Sequence, residues 1–167
     1  MDATNLNSLN IKAGDHVFYR ALGTTYKVLT ETVGGSAGIV EHTLEAMSLG
    51  APMHKHTRED EISFVLEGEL SVIQDGQIQI ATAGQFIAKP RNIFHTFWNA
   101  TQKRIRFLEF IVPGNFQFYF AEMEPFLKAG QPPQFDKMQI VREKYGLIID
   151  LYAADEIIKK YNLNKLG

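Results

Sequence analysis

Between residues 17 and 112 turn signals interrupt the chain so often that no convincing helical period fits between them. Gly34-Gly35, Gly50-Ala51-Pro52, Gly68, Asp75-Gly76, Gly84 and Pro90-Arg91-Asn92 divide this stretch into short runs of extended character. The runs predict strands over 26–31, 38–45, 61–66, 69–74, 77–81, 95–99 and 105–112. Asp75-Gly76 suits a two-residue type I′ hairpin, because both residues tolerate the positive φ that turn demands. Many short strands at this spacing predict an all-β sandwich, barrel or jelly roll.

The texture changes after Pro113-Gly114. Asn115 is placed to cap a helix through FQFYFAEME that Pro125 limits. Residues 130–134, rich in proline, read as a stiff connector. Asp136 and Gln139 resemble a capping box opening a helix whose Met138, Val141 and Tyr145 share one face, with Gly146 at its C-terminal cap. A last amphipathic stretch, 153–161, gathers Ile157, Ile158 and Tyr161. These helices are too short to stand alone, so they are expected to pack outside the barrel or against a partner chain. The expected organisation is an N-terminal arm over 1–15, a barrel over 16–114 and a helical extension of the same domain over 115–167.

A length of 167 residues fits one domain with a real core. The formal charge of -2 lacks the basic footprint of nucleic-acid binding. No run approaches the ~20 apolar residues that span a bilayer, and the first residues show neither the basic start nor the apolar run of a secretory signal. A soluble cytoplasmic protein with no nucleic-acid or membrane partner is therefore expected. Cysteine is absent, so any transition metal must take nitrogen and oxygen ligands.

Such ligands stand in His54-Lys55-His56-Thr57-Arg58-Glu59-Asp60-Glu61. Residues two apart on a strand point the same way, so His54 and His56 project into one space. Glu61, Ser63 and Val65 share a face of the following strand, which the intervening turn brings back beside the first. Asp60 competes with Glu61 for the carboxylate role, and strand parity favours Glu61. Arg58 and Glu59 read as solvated turn residues.

Two segments resemble the paired motifs of the cupin superfamily. His54, His56, Glu61 and Gly68 match the first, HxH, four residues, Glu, six residues, Gly. Gly84, Pro90, His95 and Asn99 match the second, with Asn92 where the family has a second glycine. Asn is the non-glycine residue best suited to a left-handed position, so the substitution is compatible with the turn. Gly50 lies nearer to the HxH pair than the pattern prefers, which shortens the loop entering the site. The resemblance implies a double-stranded β-helix, or jelly-roll barrel. It also implies one divalent transition metal (Fe, Mn, Ni, Co, Cu or Zn) held by His54, His56, Glu61 and His95. The order of barrel, aromatic segment over 116–120 and C-terminal helix is similar to that of small bacterial cupins called quercetin-dioxygenase-like.

Around this cluster, Ser63 is a pocket candidate if Glu61 points inward, and Phe97 lines the cavity by parity with His95 or serves the core. Phe64 is expected to contribute to apolar walls. Trp98 should face away from the metal. His16 and His42 lie outside the motif, where a structural or surface role is expected. The aromatic segment over 116–120 reads as interface, since so small a barrel cannot cover it alone. Two functions follow. One is a metal-dependent enzyme, a dioxygenase on a small aromatic or enolisable substrate with Glu61 turning from ligand to general base, or an isomerase or decarboxylase on the same site. The other is a non-catalytic small-molecule-binding module. A homodimer is the expected assembly.

Overall fold

A computed structural model describes residues 10–19, 21–127, 132 and 134–164. Twelve strands among these residues form two antiparallel sheets of a jelly roll. They are β1 (His16–Tyr19), β2 (Leu22–Val28), β3 (Gly38–Leu44), β4 (Ser48–Leu49), β5 (Met53–His56), β6 (Asp60–Glu67), β7 (Glu69–Gln74), β8 (Gln77–Thr82), β9 (Phe86–Lys89), β10 (His95–Asn99), β11 (Ile105–Val112) and β12 (Leu147–Asp150). One sheet runs β1-β2-β3-β11-β6-β9 and the other β12-β5-β10-β7-β8, with β4 pairing β10 off that path.

Alternation builds the interior. In β3, β6 and β11 every second residue is buried, so Val40, Val65, Phe107 and Ile111 fill the space between the sheets while their neighbours face outward. Asp75 and Gly76 take φ of 49° and 73° and join β7 to β8 with Gln74 opposite Gln77. Asn92 takes φ of 65°, the left-handed position its place in the second motif requires. Gly50 meets a different demand: a Cβ there would run into the Phe97 ring.

The strand expected over 26–31 ends early. It starts at Leu22, stops at Val28, and gives way to a 3-10 turn over Thr30–Val33 closed by Gly34 at φ 66°. Asn115 does not cap a helix; Pro113 leads into a 3-10 turn over Gly114–Phe118, which continues as α1 (Tyr119–Met123). Asp136 does not cap either, for α2 (Phe135–Lys144) begins a residue ahead of it, and Gln139 Nε2 instead donates to Glu143 Oε1 at 2.8 Å. Gly146, at φ 66°, ends that helix as expected. Most of the connector over 130–134 and the start of the arm lie outside the described residues.

The C-terminal part packs on the barrel's open side. Met138, Val141 and Tyr145 join Phe116, Phe118, Tyr119 and Phe120 in one buried cluster with Val40 and Ile111. The aromatic segment is therefore covered by α2 and β12 of its own chain and is not an interface. Helix α3 (Asp155–Tyr161) covers Trp98, which is fully buried with Leu49, Ala154 and Ile157. Strand β12 pairs with β5 in register, Leu147 opposite His56 and Ile149 opposite His54. No helix among the described residues is long and apolar enough to cross a membrane.

Candidate metal centre

The two histidines of β5 point inward together, as period-two geometry requires, and both are buried. β10 lies beside β5 with His95 opposite His54, which delivers the third imidazole. Glu61 comes from the other sheet, on the inward face of β6. One donor atom from each of the four residues lies within 4.8 Å of the other three. Glu61 Oε1 is 3.4 Å from His56 Nε2 and Glu61 Oε2 is 3.5 Å from His95 Nε2. Asp60 points the other way, into an exposed ion pair with Arg91 at 2.6 Å.

Backbone carbonyls set two of the imidazole tautomers. His54 Nδ1–H donates to Pro52 O at 2.8 Å and His95 Nδ1–H donates to Ile93 O at 3.1 Å. Their Nε2 atoms are thus left as lone-pair donors, the usual arrangement for a histidine that ligates through Nε2. Burial, then the neighbouring imidazoles, hold His54 well below the usual histidine range; burial also lowers His95. Both rings are neutral at pH 7, as ligands must be. The Nε2 atoms of His56 and His95 are buried without a hydrogen-bond partner. Orphaned polar atoms of that kind are costly unless something occupies the space between them. Three imidazoles and a carboxylate fit a divalent cation.

Glu61 is held from behind. Lys89, inward on β9 and 1 % exposed, places Nζ 3.1 Å from Glu61 Oε2 and 2.6 Å from Glu109 Oε2. Burial opposes ionisation of Glu61, but His56 and Lys89 outweigh it and keep the carboxyl well below the usual range. Burial works against the Lys89 charge too, and Glu109 and Glu61 overcome it, raising its pKa. Glu109 is pushed up to about 7 by burial, against the pull of Lys89. Ser63 belongs to this group: it donates to Glu109 Oε2 at 2.9 Å and does not face the cavity. Neither Lys89 nor Glu109 was among the residues expected at the site. Each is a charged residue on the otherwise apolar inward face of its strand, and that parity was the available signal.

Glu59 and Phe64 also differ from expectation. Glu59 is buried beside His56, with Oε2 3.9 Å from Nδ1, and burial raises its pKa. It is not a solvated turn residue. Phe64 lies on the outward parity of β6 and meets the Phe86 ring at 4.5 Å between centroids, so it forms no wall of the site.

A cavity of about 410 Å³ runs from His54, His56 and Glu61 toward the surface at Phe135 and Leu151. His95 sits behind this lining. Phe97 does line it, together with Phe116, Tyr119, Phe120 and Met138. Phe116 meets the His56 ring edge-on at 4.3 Å between centroids. His42, expected outside the site, is buried in the same lining, hydrogen-bonded through Nδ1 to Thr24 Oγ1 at 3.0 Å. Burial, aided by Lys89, pushes its pKa down to about 4. His16 is exposed and hydrogen-bonds Thr25.

The family described as Cupin domain matches residues 40–111, the stretch that holds all four cluster residues. No curated protein matches the sequence. Among solved structures, KdgF from a Halomonas species superposes with a TM-score of 0.53 at 18% identity, covering 59% of this chain and 86% of that one. A predicted oxalate decarboxylase from Thermotoga maritima does so with a TM-score of 0.53 at 20% identity, covering 61% and 96%. Pac13, a nucleoside dehydratase whose variants come from Streptomyces, gives 0.51 at 15% identity, covering 61% and 78%. At these identities the likeness is one of fold, and the fold agrees with the motifs and the family match. Residues 40–111 thus match a cupin domain, and the chain shares the fold of these cupin-like neighbours.

Proposed function

We propose that this chain is a metal-dependent enzyme, a dioxygenase acting on a small aromatic or enolisable substrate. His54, His56 and His95, through Nε2, and Glu61 would hold one divalent transition-metal ion. The observation that carries the reading is the placement of the cluster. His54, His56 and an ionised Glu61 stand at the inner end of a substrate-sized cavity with His95 behind them, and the Nε2 atoms of His56 and His95 have no hydrogen-bond partner. A bound cation would supply Lewis acidity toward a substrate hydroxyl and, if redox-active, a route to O₂. The chain supplies the rest. Phe97, Phe116 and Phe120 hold an apolar substrate and exclude water, which strengthens every charge interaction at the cluster. Glu61, ionised at neutral pH, accepts the substrate proton on a carboxylate oxygen, and Lys89 steadies it.

A second reading, an isomerase or decarboxylase, is favoured by His42, an imidazole outside the ligand set that lines the same cavity. The fold neighbours described as a decarboxylase and a dehydratase are in keeping with it. We further expect a homodimer. Ile78, Ile80 and Phe86 leave exposed apolar surface on β8 and β9, one edge strand of each sheet.

The test begins with metal content by elemental analysis of wild type, His54→Ala and His95→Ala. Equal content in all three would remove the site. Wild type loaded in turn with Fe(II), Mn(II), Ni(II) and Cu(II) is then followed for O₂ uptake with flavonols and with 1,2- and 1,3-dicarbonyl compounds. Consumption of O₂ supports the dioxygenase. Substrate loss without O₂ uptake supports the second reading, and tight ligand binding without turnover supports a binding module.

A further inference from the structure

Arg142 is the sole Lys or Arg among the described residues that line the cavity. It projects from α2 beside Val141, on the edge of the helix face that packs against the aromatic cluster. Its side chain is half-buried, and Nε is shut away from solvent with no hydrogen-bond partner. The Arg142 side chain already hydrogen-bonds the Tyr119 hydroxyl oxygen; burial raises that hydroxyl to about 12, against the pull of Arg142, so it keeps its proton as a second donor. The other charged groups around the cavity are engaged. Glu61 and Glu109 share Lys89, Asp155 has a partner, and Glu143, next along α2, accepts from Gln139. The remaining lining is apolar and aromatic. Tyr119 stacks on Phe116 at 4.7 Å and Phe116 meets His56 at 4.3 Å, so two ring contacts link Arg142 to the metal cluster.

A cavity with a cation-binding cluster at its inner end, a single guanidinium farther out and hydrocarbon between favours a two-ended ligand. We propose that Arg142, with the Tyr119 hydroxyl, binds the carboxylate of a substrate whose apolar or aromatic body lies along Phe116 and whose other end reaches the metal cluster. A planar guanidinium matches a carboxylate better than it matches any neutral group. Arg142 is thus a specificity-determining residue that selects acids over their neutral analogues. The proposal deepens the enzyme reading above and rests on it for the role of the inner end.

The test uses 3-phenylpropionate and 3-phenylpropionamide, which share a body and differ in charge. Their Kd values are measured calorimetrically on metal-free and Zn(II)-loaded wild type, Arg142→Gln and Arg142→Lys. Wild type should prefer the acid by about tenfold or more in both metal states. Arg142→Gln should weaken the acid by about 10- to 100-fold and leave the amide unchanged, while Arg142→Lys retains part of the preference. Equal affinities for acid and amide in metal-free wild type overturn the proposal, whether or not the variants fold. So does an acid preference that appears only with Zn(II) and survives Arg142→Gln, for then the carboxylate sits on the metal. Binding of neither probe also overturns it. Failure of the enzyme reading looks different: acid selectivity through Arg142 persists, but no loaded metal supports turnover.

Discussion

Lys89 Nζ stands 3.1 Å from Glu61 Oε2, and the same ammonium stands 2.6 Å from Glu109 Oε2, all three groups buried. A cluster carboxylate is therefore already paired with a protein cation before any metal is considered. Removing Lys89 leaves buried negative charge without a partner, which typically costs about 3–5 kcal/mol. Lys89→Met is expected to lose stability on that scale in urea denaturation of the metal-free protein. Adding Glu109→Gln should restore part of the loss, and Zn(II) should restore more, since the ion neutralises Glu61. A loss that is identical with and without Zn(II) counts against the cluster as a cation site.

His42 gives a pH dependence of known sign. Its folded pKa is about 4 against an ordinary 6.5, so between those values the unfolded chain binds a proton that the folded chain refuses. Stability then rises with pH across that window and falls away as the solution is acidified from 6.5 toward 4. The full swing is on the order of 3 kcal/mol. Thermal melts of His42→Phe from pH 4 to 7 should show a shallower slope than wild type by up to one proton. An unchanged slope would mean that His42 does not titrate as its burial requires.

Gly50 and Phe97 occupy each other's space. A Cβ at position 50 enters the Phe97 ring, and that ring lines the cavity. Gly50→Ala should cost about 1–3 kcal/mol by overpacking. It should also weaken ligands of the cavity, and Gly50→Ala with Phe97→Leu should recover stability. A Gly50→Ala protein with a wild-type melting temperature contradicts this packing.

Trp98 is the single tryptophan, is fully buried and meets the Tyr161 ring of α3 at 5.2 Å. Its fluorescence should be that of an apolar site. Tyr161→Asp with Ile157→Asp should undock α3 and shift the emission to longer wavelength, without changing metal content. Emission that stays put would show that α3 does not cover Trp98.

The cluster was readable where one local rule fixed it. His54 and His56 follow from the alternation of a strand, Asp60 and Glu61 are separated by the same alternation, and His95 by its register from Gly84 and Pro90. Asp75-Gly76 and Asn92 were readable because their backbone angles admit few residue types. The supporting residues depend on pairings between distant segments. Lys89 meets Glu61 and Glu109 only because β9, β6 and β11 lie side by side. Glu59 looked solvated because nothing local indicates that Gly146, from beyond α2, closes on Thr57. Arg142 reaches the cavity through the docking of a helix whose own pattern shows only that Met138, Val141 and Tyr145 are buried. The strand β12 was missed altogether, since four residues between two helices carry little signal.

That strand bears on how the protein is made. β5 meets β10 at one residue pair but meets β12 at four, so the segment bearing two cluster histidines is fastened chiefly to chain about ninety residues farther on. During synthesis the histidines leave the ribosome well before the strand that fastens them, and at ~5–20 residues per second the interval is several seconds. Throughout it β5 is an edge strand without its main neighbour. The fastened form of β5 is accordingly a late product of folding, completed only when β12 pairs along it.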